Sequence, residues 1–202
     1  AVAGVVAANA LLATPLDKLG LLKFAMQGEA VASGSVHVDN IAPSLFGGLV
    51  LTVGIDNPNV KQIPVPATVR CVLVHPHMVL STRQAREILK RSIDLSDVIW
   101  QSANLAGFLT GCFTSDLQLI RESLEDVIIE PQRKVLIPGF QDVKDGAMRN
   151  GALGCSISGA GPTVFAWCEE QHAERIRDAM VQGFAAHGLA SDAWISTLDP
   201  AG

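Results

Sequence analysis

Glu29, Ser33, Ser35, His37, Asp39 and Asn40 crowd together and run into Ile41-Ala42-Pro43 and Phe46-Gly47-Gly48. Carboxylate, carboxamide and imidazole groups supply donors, acceptors and hard oxygen ligands. Such a set could hold a small zwitterion, its hydroxyl and carbonyl groups, or a magnesium ion. A plainer reading also fits: an Asx-turn and helix N-cap in which Asp39 and Asn40 bond only nearby backbone.

The second cluster is Ser156-Ile157-Ser158-Gly159-Ala160-Gly161-Pro162-Thr163. Glycines at alternate positions let successive N–H groups point into one concavity, a nest suited to phosphate. No Lys follows, which excludes the Walker pattern, and a strand rather than a helix is expected next, which disfavours a dinucleotide fingerprint. A plain hairpin turn is the alternative. Arg83, Arg86 and Arg133 form a third group. Guanidinium pairs bidentately with carboxylate or phosphate, and otherwise solvates a surface. His75, His77, His172 and His187 show no metal-ligand spacing.

The elements that position these residues must come from 202 residues that are 49% hydrophobic and 17% charged, with a formal net charge of −5. That is enough apolar chain for one large or two small domains and too much for disorder. Fifteen Lys plus Arg against twenty Asp plus Glu leave no basic stripe for nucleic acid or an anionic membrane. The apolar stretches at residues 1–13 and 41–55 are interrupted before the ~18 residues that a span needs. Cys71, Cys112, Cys155 and Cys168 sit far apart in apolar segments, with no CxxC pair. Buried thiols in a reducing compartment are expected, rather than a disulfide framework or zinc site.

Residues 1–13 read as the end of a buried helix stopped by Pro15, so the chain is expected to be a fragment that starts inside that helix. Asp17 suits the N-cap of a second helix to about residue 32. Residues 36–43 read as a loop or helix start, 45–55 as a strand, and 56–66, rich in Pro and Asn, as a connection. A domain boundary is placed at residue 60, giving segments 1–60 and 61–202. Beyond it come a strand at 67–75 and a helix at 81–91 opened by a Ser81/Gln84 capping box. Helices are expected at 98–113, from a second capping box at Ser115/Gln118, after Pro138, and at 173–187. Strands are expected at 154–158, 163–168 and 193–198. The alternation lacks a regular βαβ repeat, so the fold class is α+β with antiparallel or mixed pairing.

With these residues in place, His37-Val38-Asp39-Asn40-Ile41-Ala42-Pro43-Ser44-Leu45-Phe46-Gly47-Gly48 closely resembles the signature of the homoserine kinases, within the GHMP small-molecule kinases. The run from Gly154 to Thr163 resembles the third conserved motif of the GHMP superfamily. Ser81-Thr82-Arg83-Gln84-Ala85-Arg86 and Glu130-Pro131-Gln132-Arg133 with Leu136-Ile137-Pro138-Gly139 are also similar to the homoserine kinase pattern. The first motif disfavours the mevalonate, galactose and diphosphocytidyl-methylerythritol branches. The resemblance implies the remainder of an S5-like nucleotide-binding domain followed by a ferredoxin-like domain, with the substrate site at their seam. It implies transfer of the ATP γ-phosphoryl to the side-chain hydroxyl of L-homoserine, a step toward threonine. Glu29 would help hold Mg2+, and His37, Asp39 and Asn40 would line the homoserine site, with Asp39 facing the ammonium. Thr82 or Arg86, and Arg133, would contact carboxylate or phosphate, and Ser158, Gly159, Ala160 and Gly161 would meet ATP and close over the substrate. Asn40 and Arg86 are the expected catalytic residues, and no general base is singled out because phosphoryl transfer rests on positioning and charge stabilisation. A cytoplasmic, homodimeric enzyme is implied.

The family's Pro-x-x-x-Gly-Leu-Gly-Ser-Ser-Ala phosphate loop does not occur in these residues. The 202 residues alone are therefore expected to bind ATP poorly and to be inactive. A non-catalytic amino-acid-binding or regulatory module is the rival reading.

Overall fold

The computed structural model describes residues 1–33, 38–54 and 56–198. They divide into two compact units, Ala1–Val65 and Pro66–Thr197. In the first unit, α1 (Val2–Asn9), α2 (Lys18–Ser33) and α3 (Val38–Phe46) precede a hairpin of β1 (Leu49–Val53) and β2 (Asn59–Ile63). Asp17 caps α2 as expected, its Oδ1 accepting the Gly20 amide at 2.7 Å. Val38, Ile41, Ala42 and Leu45 recur at the helical spacing that makes one apolar face, and they bury against Leu21, Leu22 and Ala25 of α2. Helix α1 differs from the buried helix expected of it. None of its residues is buried, and only Val2 and Val5 of it pack on that core.

Residues 45–46 belong to α3, and β1 starts only after Gly47 and Gly48, both left-handed at φ 78 and 64. Two successive positive φ values are open to glycine at little cost, which explains the Gly-Gly pair. Strand β2 corrects the reading of 56–66 as a connection. Pro58 and Pro64 flank the strand without interrupting it, and it pairs antiparallel with β1 from Leu49↔Ile63 to Val53↔Asn59.

The second unit runs β3 (Val69–Pro76), α4 (Thr82–Glu87), α5 (Leu95–Thr114), α6 (Leu117–Ser123), α7 (Glu130–Arg133), α8 (Phe140–Arg149), β4 (Gly154–Ile157), β5 (Val164–Glu169), α9 (Ala173–Ala185) and β6 (Ser191–Ser196). Its sheet order is β4-β5-β3-β6 with every pair antiparallel. Counting the helices between β3 and β4 as one crossover, this is the β-α-β-β-α-β ferredoxin-like arrangement. Val72, Val74, Val164 and Ala166 of the central strands bury against Phe140 and Val143 of α8 and Ile176, Met180 and Phe184 of α9. Trp167 points to the other face, where the Phe108 ring of α5 meets it with centroids 5.2 Å apart.

One capping box is present and the other is not. The Ser81 hydroxyl accepts the Gln84 amide at 3.1 Å, and Gln84 Oε1 accepts the Ser81 amide at 3.4 Å. Ser115 instead ends α5 in a left-handed conformation at φ 56, and Asp116 is the residue that caps α6, through the Leu119 amide at 3.0 Å.

Candidate functional site

The first cluster lies on α3 and the end of α2. With Val38, Ile41, Ala42 and Leu45 turned inward, Asp39 and Asn40 are left exposed on the opposite face of the first turns. Helix α3 continues through Pro43, whose ring nitrogen cannot donate, so the Asp39 carbonyl lacks its usual i+4 partner. Glu29 is half-buried near the end of α2. Ser35 and His37 lie outside the described residues. Among the described residues, no group of three or more His, Cys, Asp and Glu could hold a metal ion by itself. A single carboxylate is within what Mg2+ asks of a protein when phosphates and water supply its other ligands.

The second unit draws the remaining motifs together. Ser158–Thr163 is the loop between the antiparallel strands β4 and β5, closed by Ser158 N–H to Thr163 O at 2.8 Å and Gly161 N–H to Ser158 O at 3.0 Å. A strand follows, as expected, and the hairpin reading holds for the loop's frame. Gly159 and Gly161 take φ 58 and 85. The Gly159 and Ala160 amides have no partner among the described residues, which leaves two adjacent donors for an anion. Below the loop, the His75 Nδ1 and Thr163 Oγ1 are hydrogen-bonded at 2.8 Å.

Arg133 lies between two of the other motifs. Its Nε donates to the Ala85 carbonyl of α4 at 2.9 Å, and its Nη1 donates to the Gly159 carbonyl at 2.9 Å. Thr82 and Arg86 are exposed on α4 itself. The α7 turn that carries Arg133 is held in turn by Asp126, whose carboxylate accepts the amides of Ile128, Ile129 and Glu130 at 2.9, 2.7 and 3.2 Å. Glu130 is buried and forms an ion pair with Lys144 of α8. Asp126, Lys144 and the His75–Thr163 pair are not among the residues that the motifs single out. Asp126, standing just before amides that need acceptors, was the one recognisable signal.

All four cysteines are free. Burial pushes the thiols of Cys71 and Cys155 up to about 12 and those of Cys112 and Cys168 up to about 11, so none is a nucleophile at neutral pH.

The ferredoxin-like sheet, its glycine loop and the α3 signature define a class. The GHMP kinase N-terminal domain matches residues 1–48 and the GHMP kinase C-terminal domain matches residues 105–186; the chain belongs to the GHMP kinase family. Within it, the chain is 46% identical over 202 residues to the homoserine kinase of Xylella fastidiosa strain M12, covering 100% of this chain and 62% of that protein. It is 44% identical over 201 residues to the homoserine kinase of Chlorobium phaeobacteroides strain BS1, covering 98% of this chain and 63% of the relative. The crystal structure of homoserine kinase from Cytophaga hutchinsonii superposes with a TM-score of 0.95 at 46% identity, over 98% of this chain and 64% of that one. Phosphomevalonate kinase from Streptococcus pneumoniae shares the fold, with a TM-score of 0.74 at 13% identity over 97% of this chain and 66% of that one. The chain therefore spans about three fifths of the length of the curated relatives it matches.

Proposed function

We propose that the protein transfers the γ-phosphoryl group of MgATP to the side-chain hydroxyl of L-homoserine, forming O-phospho-L-homoserine and ADP on the way to threonine. The observation that carries this reading is the 46% identity to a homoserine kinase along the whole chain. The homoserine oxygen forms a bond to the γ-phosphorus as the bond to the β-γ bridging oxygen breaks, and the hydroxyl proton leaves to solvent. Little covalent help is needed, so the protein's part is positioning and charge stabilisation.

In the first unit, His37, Asp39 and Asn40 would hold the amino acid, with Asp39 facing its ammonium and Asn40 its reacting hydroxyl. The exposed positions of Asp39 and Asn40 support this. Glu29 would supply a carboxylate to Mg2+. In the second unit, Arg86 would meet carboxylate or phosphate, with Thr82 one turn before it. The open amides of Gly159 and Ala160, flanked by Ser158 and Gly161, would accept phosphate oxygens. No described helix is long and apolar enough to cross a membrane, and we place the enzyme in the cytoplasm, where its four free thiols would stay reduced. A homodimer belongs to the same reading. Leu95, Ile99 and Trp100 are exposed at the start of α5 and would suit an interface.

The test is ADP release from MgATP by the gene product at its full encoded length, with L-homoserine, L-serine, L-threonine and mevalonate as acceptors. Homoserine should give the highest kcat/KM, and Asn40→Ala should lower that value by about 100-fold or more, of the order seen when a transition-state contact is lost. Preference for another acceptor would overturn the substrate assignment. Saturable amino-acid binding with no ADP release would favour the binding module.

A further inference from the structure

We propose that Asp126 is a positioning residue for this reaction, acting through Arg133, whose guanidinium it aims at an oxyanion of the substrates. The inference rests on the homoserine kinase reading and deepens it.

Residues 124–129 form neither helix nor strand, so no ladder satisfies their amides or fixes their course. Side chains do so instead. The Asp126 carboxylate accepts the Ile128 and Ile129 amides at Oδ1, at 2.9 and 2.7 Å, and the Glu130 amide at Oδ2, at 3.2 Å. Gln101 Oε1 of α5 accepts the Val127 amide at 2.9 Å, and the buried Asn104 of the same helix donates to the Glu125 carbonyl at 3.1 Å. Four successive amides, those of Val127, Ile128, Ile129 and Glu130, thus end on two side chains. Helix α7 has only four residues, too few to hold a shape by itself. The amides of Gln132 and Arg133 both donate to the Ile129 carbonyl, at 3.1 and 3.0 Å. Ile129 is therefore bonded to Asp126 at its amide and to Arg133 at its carbonyl.

Arg133 is the place where that course matters. It is the one cation in residues 124–133. Its Nε and Nη1 donate to the carbonyls of Ala85 and Gly159, each at 2.9 Å, so three of its five guanidinium N–H groups are left for a carboxylate or a phosphate. The two carbonyls adjoin candidate ligands, since Arg86 follows Ala85 and Gly159 carries one of the open loop amides. A planar fork that serves two carbonyls and an oxyanion at once has little slack, and a shift of α7 takes it out of line. The Asp126 carboxylate has about four acceptor sites, and backbone amides take three, the pattern of a group that shapes a turn.

The experiment compares Asp126→Ala, Asp126→Asn, Arg133→Ala and the Asp126→Ala/Arg133→Ala double variant in the full-length protein by steady-state kinetics and thermal melting. Asp126→Ala should lower kcat/KM for L-homoserine about 10- to 100-fold, the loss that a misplacement of about 1 Å brings. In the Arg133→Ala background the same substitution should cost less than about threefold, because the group it aims is gone. Asp126→Asn keeps an Oδ1 acceptor for Ile128 and Ile129 and loses the third bond, so it should cost only about fivefold. The parameter that moves identifies the oxyanion: KM for L-homoserine marks the amino-acid carboxylate, and kcat or KM for MgATP marks the phosphoryl group. Equal losses in both backgrounds would overturn the proposal, because Asp126 would then act independently of Arg133. Asn as damaging as Ala would overturn it too, by showing that the charge and not the amide bonds matters, and so would a lower melting temperature with unchanged kinetics. Failure of the unsubstituted protein to phosphorylate homoserine would count against the kinase reading alone. Nitrogen-15 NMR then decides the positioning. The Arg133 Nε–H resonance, assigned by its absence from Arg133→Ala, should shift or broaden in Asp126→Ala and hold its place in Asp126→Asn; an unmoved resonance in Asp126→Ala refutes the proposal.

Discussion

Replacing Gly161 by Ala should destabilise the second unit about twice as much as the same change at Gly159, two residues away in the same loop. Both glycines have positive φ, 85 and 58, so each substitution carries the left-handed penalty of about 1–2 kcal/mol. They differ in the space a methyl group would enter. A Cβ on Gly161 would stand 3.0 Å from Ile137 Cδ1, 3.2 Å from Ile157 Cγ2 and 3.3 Å from Leu80 Cδ2, whereas one on Gly159 meets nothing within 4 Å. Ile137 is fully buried and cannot swing away freely. Overpacking such a site adds about 1–3 kcal/mol, for a total of about 2–5 at Gly161 against 1–2 at Gly159. Urea titration read by Trp167 fluorescence is the assay, because that indole is buried against Phe108. At an m value of about 2 kcal/mol/M, a 3 kcal/mol loss lowers the midpoint by about 1.5 M. Equal shifts, or a larger one for Gly159→Ala, would refute the steric argument.

Two further predictions concern buried groups. The Glu130 side chain is 8% exposed and that of its partner Lys144 is 20% exposed, so Glu130→Ala strands a cation and should cost about 3–5 kcal/mol by urea titration. The double replacement Glu130→Met with Lys144→Met should cost clearly less, and a double loss as large as the single one would contradict this. The thiols of Cys71 and Cys155 are held at about 12 against an ordinary 9.0. The unfolded chain therefore gives up these protons first, and stability present below pH 9 is lost as pH rises toward 12. With no tyrosine in the chain to add its own titration, Cys155→Ala should flatten the decline between pH 9 and 11. An unchanged slope would show that this thiol is not desolvated.

Local signals carried much of the fold. The Ser81/Gln84 box opens α4, the cap at Asp17 opens α2, and the apolar spacing of 173–187 becomes α9, because each depends on neighbours within one or two turns. Strand β2 was hidden because only Ile63 of its five residues is buried, so it shows little alternation, and its flanking prolines resemble a loop. Ser115 has the sequence of a cap, but sequence does not reveal φ. At 56 it ends α5 and leaves the capping to Asp116.

At the candidate site, residue types were legible and long-range partners were not. Arg133 was recognisable as a motif residue, but its bonds to Ala85 and Gly159 follow from the sheet and helix packing of the second unit. The Lys144 partner of Glu130 lies on a different helix, and nothing in its local sequence marks it. Asp39 and Asn40 became interpretable once the burial of Val38, Ile41, Ala42 and Leu45 fixed which face of α3 they occupy.

Identifying the product decides whether the protein phosphorylates homoserine. The full-length gene product would be incubated with MgATP and L-homoserine, and the mixture followed by phosphorus NMR and mass spectrometry. The expected product is a phosphomonoester on the side-chain oxygen of homoserine, formed one for one with ADP. ADP without a phosphorylated amino acid, or phosphate transferred to a different acceptor in preference, would contradict it.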